Sequence, residues 1–350
     1  MSKNKLLLLF TNHRVAEKLW PIIPKLSETY SLDLFLVGLF SQETPWIGDI
    51  DERTVKIKEY ESYIDNIIMG PGVQFHGDNI TSDLCDLVDL DLYRAVIFDD
   101  NREVKEFNIP HFYKKCNEKG IPVIGNPHGD EEFKQSAIGT SFDIRMVFGE
   151  KEQKLAPGSL VGGVPANDTL KNIKKNPKHI LIITNLLGHR PGIVPLTFNN
   201  HFVQECGALE LSIEYNLPIV VKIKTRLDDP NYIQNIKYVK QLLECDVVAN
   251  TDNIDQLIAD SVVVISYPST LAFKPIQLGI PTVLINGSQL SNGNFYDYPG
   301  LVELNKQTIF DNLQMQIDHG KFTKFIKNTI AGGDTFTSTD VYIKNLKGVL

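Results

Sequence analysis

The sequence predicts a two-domain α/β protein built on parallel sheets. Short apolar runs alternate with amphipathic stretches along most of the 350 residues. The strongest runs, Val262–Ser266 and Thr282–Asn286, are almost continuously apolar, the pattern of strands covered on both faces. The alternation breaks once, in the polar, lysine-rich Ala166–Lys178, and then resumes. A chain of this length also exceeds one comfortable core.

The elements follow in order. Leu6–Phe10 is a first strand, and Val15–Thr29 reads as a helix with Leu19, Ile22, Ile23 and Leu26 on one stripe. Leu32–Leu39 and Ala95–Phe98 are strands, the latter ending in Asp99–Asp100. Phe107–Lys119 is a helix stopped by Gly120; Ile121–Ile124 and Ile144–Phe148 are strands. Past the lysine-rich stretch, the strands are Ile180–Thr184, Pro218–Ile223, Val247–Val248 and the two strongest runs. The helices are Phe198–Tyr215, Tyr232–Leu243, Ile254–Ala259 and Leu271–Leu278, the last closed by Gly279. Residues 1–165 thus form an N-terminal Rossmann-like domain, 166–178 a linker, and 179–335 a C-terminal Rossmann-like domain. Residues 336–350, with a helix over Asp340–Val349, are a C-terminal segment for which packing back on the first domain is one option that the sequence alone does not decide. Tandem domains of this kind hold ligands in the cleft between the carboxyl ends of their sheets.

Composition narrows the function. The net charge of -8 argues against a nucleic-acid or anionic-membrane partner. Cys85, Cys116, Cys206 and Cys245 are scattered without a CxxC pair, so they read as small buried residues in a reducing, cytoplasmic setting. Leu6–Phe10 is too short and too soon followed by polar Thr11–Arg14 to be a leader or a membrane span.

The candidate chemistry lies at strand ends. Ser266, Ser269 and Thr270 form a hydroxyl-rich turn opening a helix, where free backbone N–H groups and the helix dipole favour a phosphate. Gly188, His189 and Arg190 follow the first strand of the second domain and suit a diphosphate. Lys222 and Lys224 share one face of a strand end, where a cation either reaches phosphate or lies solvated. Arg14, at a helix start, suits an anionic ligand there or a solvated turn. His128, in Gly125–Gly129 (GNPHG), has the near-neutral pKa of a general base toward a hydroxyl; packing or capping is the plainer role. The acidic run Asp130–Glu132 either orients His128, replaces it as base, or only begins a helix. There is no P-loop, GxSxG elbow, HExxH or EF-hand pattern, and pairs such as Asp99–Asp100 and Asp228–Asp229 are too common to count. Neither a metal nor a cofactor is expected.

These loops resemble those of the GT-B nucleotide-sugar enzymes. The first similarity is to the CDP-glycerol glycerophosphotransferase type and related surface-polysaccharide transferases. It rests on His128–Gly129, the cationic Lys222–Arg226, the turn Ser266–Thr270 and the aromatic Asn294–Tyr298. The chain departs from that pattern at Lys224–Thr225, where the family has His-Pro, and at Phe273–Lys274, where it often has Phe-Asp. The second is to the non-hydrolysing UDP-GlcNAc 2-epimerases, through Phe10–Arg14 (FTNHR), Ile182–Arg190 and Gly162–Asp168 (GGVPAND). That family's Gly-Asp-Thr and His-x-Glu-Ala-Gly motifs and its glutamate-bearing serine turn are missing.

The first resemblance implies a transferase moving a glycosyl or glycerophosphoryl group from a nucleotide-linked donor to a saccharide or polyol-phosphate acceptor. The second domain would bind the donor and the first the acceptor, with His128 as base. It also leaves room for peripheral membrane association through a lipid-linked acceptor and for a homodimer. The epimerase reading ranks second, and a non-catalytic partner of another transferase third.

Overall fold

A computed structural model describes residues 4–11, 16–38, 56–72, 84–99, 109–127, 142–184, 198–223, 231–249, 253–286, 293–319 and 322–350. The chain divides into two compact units. One is Met1–Asp168 with Lys327–Leu350; the other is Thr169–Ile326.

Among the described residues, the first unit holds a seven-stranded sheet. Its strands are β1 (Lys5–Phe10), β2 (Ser31–Gly38), β3 (Asn66–Gly72), β4 (Ala95–Phe98), β5 (Val123–Gly125), β6 (Ile144–Val147) and β7 (Leu160–Val161). They run in the order β3-β2-β1-β4-β5-β6-β7, and each neighbouring pair is parallel. The continuous apolar runs have the predicted cause. Leu6, Leu8 and Phe10 enter one core with Leu32, Leu34 and Ile97, whereas Leu7 and Leu9 enter another with Phe35, Val96 and Phe98. A strand buried on both faces has no solvent face to make polar. Each such side chain contributes roughly 1.5–3 kcal/mol over its exposed state.

The second unit repeats the plan with β8 (His179–Thr184), β9 (Ile219–Ile223), β10 (Asp246–Val248), β11 (Ser261–Ser266), β12 (Thr282–Ile285) and β13 (Leu301–Val302). The order is β10-β9-β8-β11-β12-β13, again parallel throughout. Counted within each unit, the second sheet has the doubly wound order 3-2-1-4-5-6, and the first has the same order with a seventh strand added beside the sixth. The order reverses between β1 and β4 and again between β8 and β11, and such switch points open a crevice at the carboxyl edge.

Several elements differ from the sequence expectation for identifiable reasons. Within the described part of the helix expected from Val15 to Thr29 are a 3-10 turn, Trp20–Ile22, and a short helix, Ile23–Ser27. Pro21 and Pro24 each lack an N–H and interrupt helical bonding, yet Leu19, Ile22, Ile23 and Leu26 are all buried as the stripe required. Phe198–Tyr215 splits into Asn200–Glu205 and Ala208–Tyr215 at Gly207, whose φ is +70°. β3 is a strand that the sequence does not announce: Gly70–Pro71–Gly72 has the composition of a turn, and β3 lies at the sheet edge, where a missing N–H is tolerated. Helices Lys306–His319 and Thr323–Thr329 were not anticipated.

The segment expected as a linker begins as a 3-10 stretch, Pro165–Asn172, with Asn167 and Leu170 buried. The helix Ser338–Lys347 lies in the first unit, with Tyr342, Ile343 and Leu346 in the same core as Leu6 and Leu8. The segment Gly162–Asp168 seats this helix. A Cβ on Gly162 would stand 2.9 Å from Tyr342 Cδ2. Gly163, with φ +67°, packs where a Cβ would meet Ala331 O at 2.4 Å. Asp168 accepts the Ser338 N–H at 2.9 Å and the Thr339 N–H at 2.7 Å, capping the helix start.

None of the four cysteines is in a disulfide. Burial pushes the thiols of Cys116 and Cys206 up to about 12 and that of Cys245 to about 11. They are packing groups rather than nucleophiles. No helix among the described residues is long and apolar enough to cross a membrane.

Candidate functional site

In the first unit the polar groups collect where theory places them, just past the carboxyl ends of the strands at the switch point. Asp99 follows β4 and is fully buried. Its carboxylate accepts both the backbone N–H and the hydroxyl of Thr11, the residue after β1, each at 2.9 Å. Asn126 follows β5. Its Nδ2 donates to Phe98 O at 2.7 Å, and its Oδ1 accepts the Tyr342 hydroxyl at 2.9 Å. Lys18 Nζ donates to Pro127 O at 3.1 Å and stands 5.5 Å from the centroid of the Phe148 ring. A pocket opens here, lined among others by Lys18, Asp99, Asn126, Phe148, Gly162 and Tyr342. Burial raises the Tyr342 phenol pKa, partly offset by Asn126, so the hydroxyl stays a proton donor.

In the second unit the switch point is framed by Thr184, ending β8, and Ser266, ending β11, both buried. Ser266 Oγ donates to Tyr267 O at 3.1 Å. Tyr267 packs on Phe202, ring centroids 5.9 Å apart. Its hydroxyl lies near the Thr184 side chain, which draws the phenol pKa down while burial raises it more strongly. Among the described residues, no group meets hydrogen-bond distance and angle at that oxygen. Ser269 is the extended residue before the 3-10 turn Thr270–Ala272, which runs into the helix Phe273–Gln277. The Ser269 carbonyl takes the Ala272 N–H, but its side chain makes no capping bond; Ser269 and Thr270 are both half-buried.

Lys222 sits in β9 with Nζ donating to Ile223 O at 2.8 Å and Ala249 O at 2.7 Å. Its ammonium thus ties together the carboxyl ends of β9 and β10. Lys274, one of the departures from the transferase pattern, is ion-paired with Asp255 on the helix Ile254–Ala259. The cation there joins two helices.

Of the candidate site residues, Lys222, Ser266, Ser269 and Thr270 are at the carboxyl edge of the second sheet. Arg14, His128, Gly188, His189, Arg190 and Lys224 lie outside the described residues, as does the run Asp130–Glu132. Sequence reasoning missed Thr11, Lys18, Asp99, Tyr342, Thr184 and Tyr267. Asp99 carried a usable signal: a carboxylate directly after a wholly apolar strand is costly to bury unless it is bonded. Tyr342 carried none, since its partner is 216 residues away.

No protein-family model matches the sequence, and no curated protein does. Solved structures do match. A protein of Listeria monocytogenes assigned to the UDP-N-acetylglucosamine 2-epimerases superposes with a TM-score of 0.63 at 12% identity, covering 99% of this chain and 97% of its own. The UDP-GlcNAc 2-epimerase of Neisseria meningitidis, bound to UDP-GlcNAc, gives 0.59 at 13%, covering 98% and 100%. The wall teichoic acid polymerase TagF gives 0.52 at 11%, covering 100% and 90%. The fold is GT-B. At these identities the likeness speaks for the fold alone. Both families anticipated from the loops occur among its structural neighbours, epimerases and a teichoic acid polymerase.

Proposed function

We propose that this GT-B chain is a metal-independent transferase. It moves a glycosyl or glycerophosphoryl unit from a nucleotide-activated donor to a hydroxyl of a saccharide or polyol-phosphate acceptor, in surface-polysaccharide synthesis. The observation that carries the reading is the turn Ser266–Thr270 at the β8/β11 switch point. It offers hydroxyls and backbone N–H groups, and no carboxylate occurs from Ser266 to Lys274. Such a turn can hold a nucleotide phosphate and stabilise the charge that builds on it as the donor bond breaks. A proton shuttle on a sugar carbon needs acids that are absent there.

In the transfer step the acceptor oxygen bonds to the donor's anomeric carbon or phosphorus. The bond to the leaving nucleotide phosphate breaks, and the acceptor proton passes to His128. Ser269 and Thr270 face the phosphate, with Gly188, His189, Arg190 and Lys224 supplying further donors; Arg14 meets the anionic part of a ligand at the first unit. Lys222 orders the strand ends beside the phosphate through its two carbonyl bonds. No residue is assigned to a metal.

A second reading, a UDP-GlcNAc 2-epimerase-like enzyme, draws on the closer overlay of the epimerase structures. Incubation separates the two. With UDP-GlcNAc alone, proton NMR of the sugar should show no C2 epimer, whereas donors presented with a polyol-phosphate or saccharide primer should be consumed. Epimer formed without acceptor would overturn the transferase reading. His128→Ala should lower turnover by about a hundredfold while donor affinity stays near wild type. Equal loss of both would assign His128 to structure.

A further inference from the structure

The geometry points to Tyr267 as a positioning residue of the turn Ser266–Thr270, its hydroxyl bonding the Thr184 side chain when that turn holds a nucleoside diphosphate. This rests on the nucleotide site proposed above and adds to it the residue that sets the turn.

Tyr267 lies within the turn, two residues before Ser269. Ile265 of β11 pairs with Ile182 of β8, which brings Tyr267 level with Thr184, two residues on. Its backbone is held by Ser266 Oγ, which donates to the Tyr267 carbonyl at 3.1 Å. The ring packs on Phe202, and both residues belong to the core of the second unit. One side chain therefore ties the turn to the end of β8 and to the helix Asn200–Glu205. Ser269 makes no capping bond to the helical turn it precedes, so the backbone that Tyr267 fixes decides where its hydroxyl points.

The Tyr267 hydroxyl is the telling group. The residue is 4% exposed and its oxygen is shielded from solvent. It lies near the Thr184 side chain, yet among the described residues no group meets bonding distance and angle there. Burying a hydroxyl without a bond costs stability, and phenylalanine would fill the same space without that cost. A phenol kept for packing alone is therefore the poorer choice. This phenol, level with the last residue of the neighbouring strand, needs only a small displacement of the turn to make its bond. A ligand that draws the turn toward it supplies that displacement. A bond formed only then adds to affinity rather than to the stability of the folded chain.

The experiment measures the thermal midpoint without ligand and the dissociation constants of UDP, CDP and GDP in chelator. It compares wild type with Tyr267→Phe, Thr184→Val and the double variant. Tyr267→Phe should keep the wild-type midpoint or raise it, while the nucleoside diphosphate that wild type binds is held about fivefold more weakly. Thr184→Val should weaken it to a similar extent. The double variant should lose no more than either single change, since both remove the same bond. Unchanged affinity in Tyr267→Phe would overturn the inference. So would a midpoint that falls together with affinity, the mark of a purely structural bond, or losses that add in the double variant. Wild type that binds none of the three would end the nucleotide site and this inference with it. That outcome is distinct from wild-type binding that Tyr267→Phe retains, which ends this inference alone.

Discussion

His179 opens β8 with 6% of its surface exposed, and its Nε2 lies 3.0 Å from Leu257 O. Burial holds the imidazole below its ordinary 6.5, opposed by the Leu257 carbonyl and by Asp260 and assisted by Lys178. The unfolded chain therefore binds the proton more readily, so stability is full above about pH 6.5 and is lost as pH falls below it. The thermal midpoint should drop between pH 7.5 and 5.5, and His179→Gln should flatten that drop; parallel slopes would show that His179 is not its source. Residues of this kind were only half legible. Ser266, Ser269 and Thr270 could be placed because strand, turn and helix signals surround them. The uses of Lys222 and Lys274 could not be, because their partners, Ala249 O and Asp255, come from elements that sequence periodicity does not bring together.

At the scale of elements, the segment Gly162–Asp168 shows what a motif becomes once packed. Its glycines clear space for Tyr342 and Ser338, and its aspartate caps the helix that Tyr342 belongs to. Asp168→Ala removes two charge-assisted bonds from a helix start and should cost about 1–2 kcal/mol in urea denaturation, with faster amide exchange confined first to Ser338–Lys347. Unchanged exchange there would mean that the Lys25–Asp340 pair and the apolar face hold the helix unaided. Strands were read with edges correct to about two residues, since a doubly buried run has little choice of conformation. Short helices were read poorly. Pro21, Pro24 and Gly207 divide stretches whose apolar stripes are nonetheless real.

The whole molecule repeats one winding twice, and its two strand-order reversals each place buried polar side chains at a carboxyl edge: Thr11 with Asp99, and Thr184 with Ser266. The α/β class and parallel sheets follow from apolar runs alone. The strand order does not, because pairing between distant segments leaves no local trace, and β3, β7 and β13 are too short or too broken to announce themselves. The central claim is that the second reversal grips a nucleotide phosphate with amides, hydroxyls and cations and without a divalent ion. Thermal denaturation with UDP, CDP and GDP in the presence of a chelator tests it most directly. One nucleoside diphosphate should raise the midpoint in a concentration-dependent way, through binding to the folded chain. A midpoint that none of them moves in chelator, or that moves only when magnesium is restored, would contradict it.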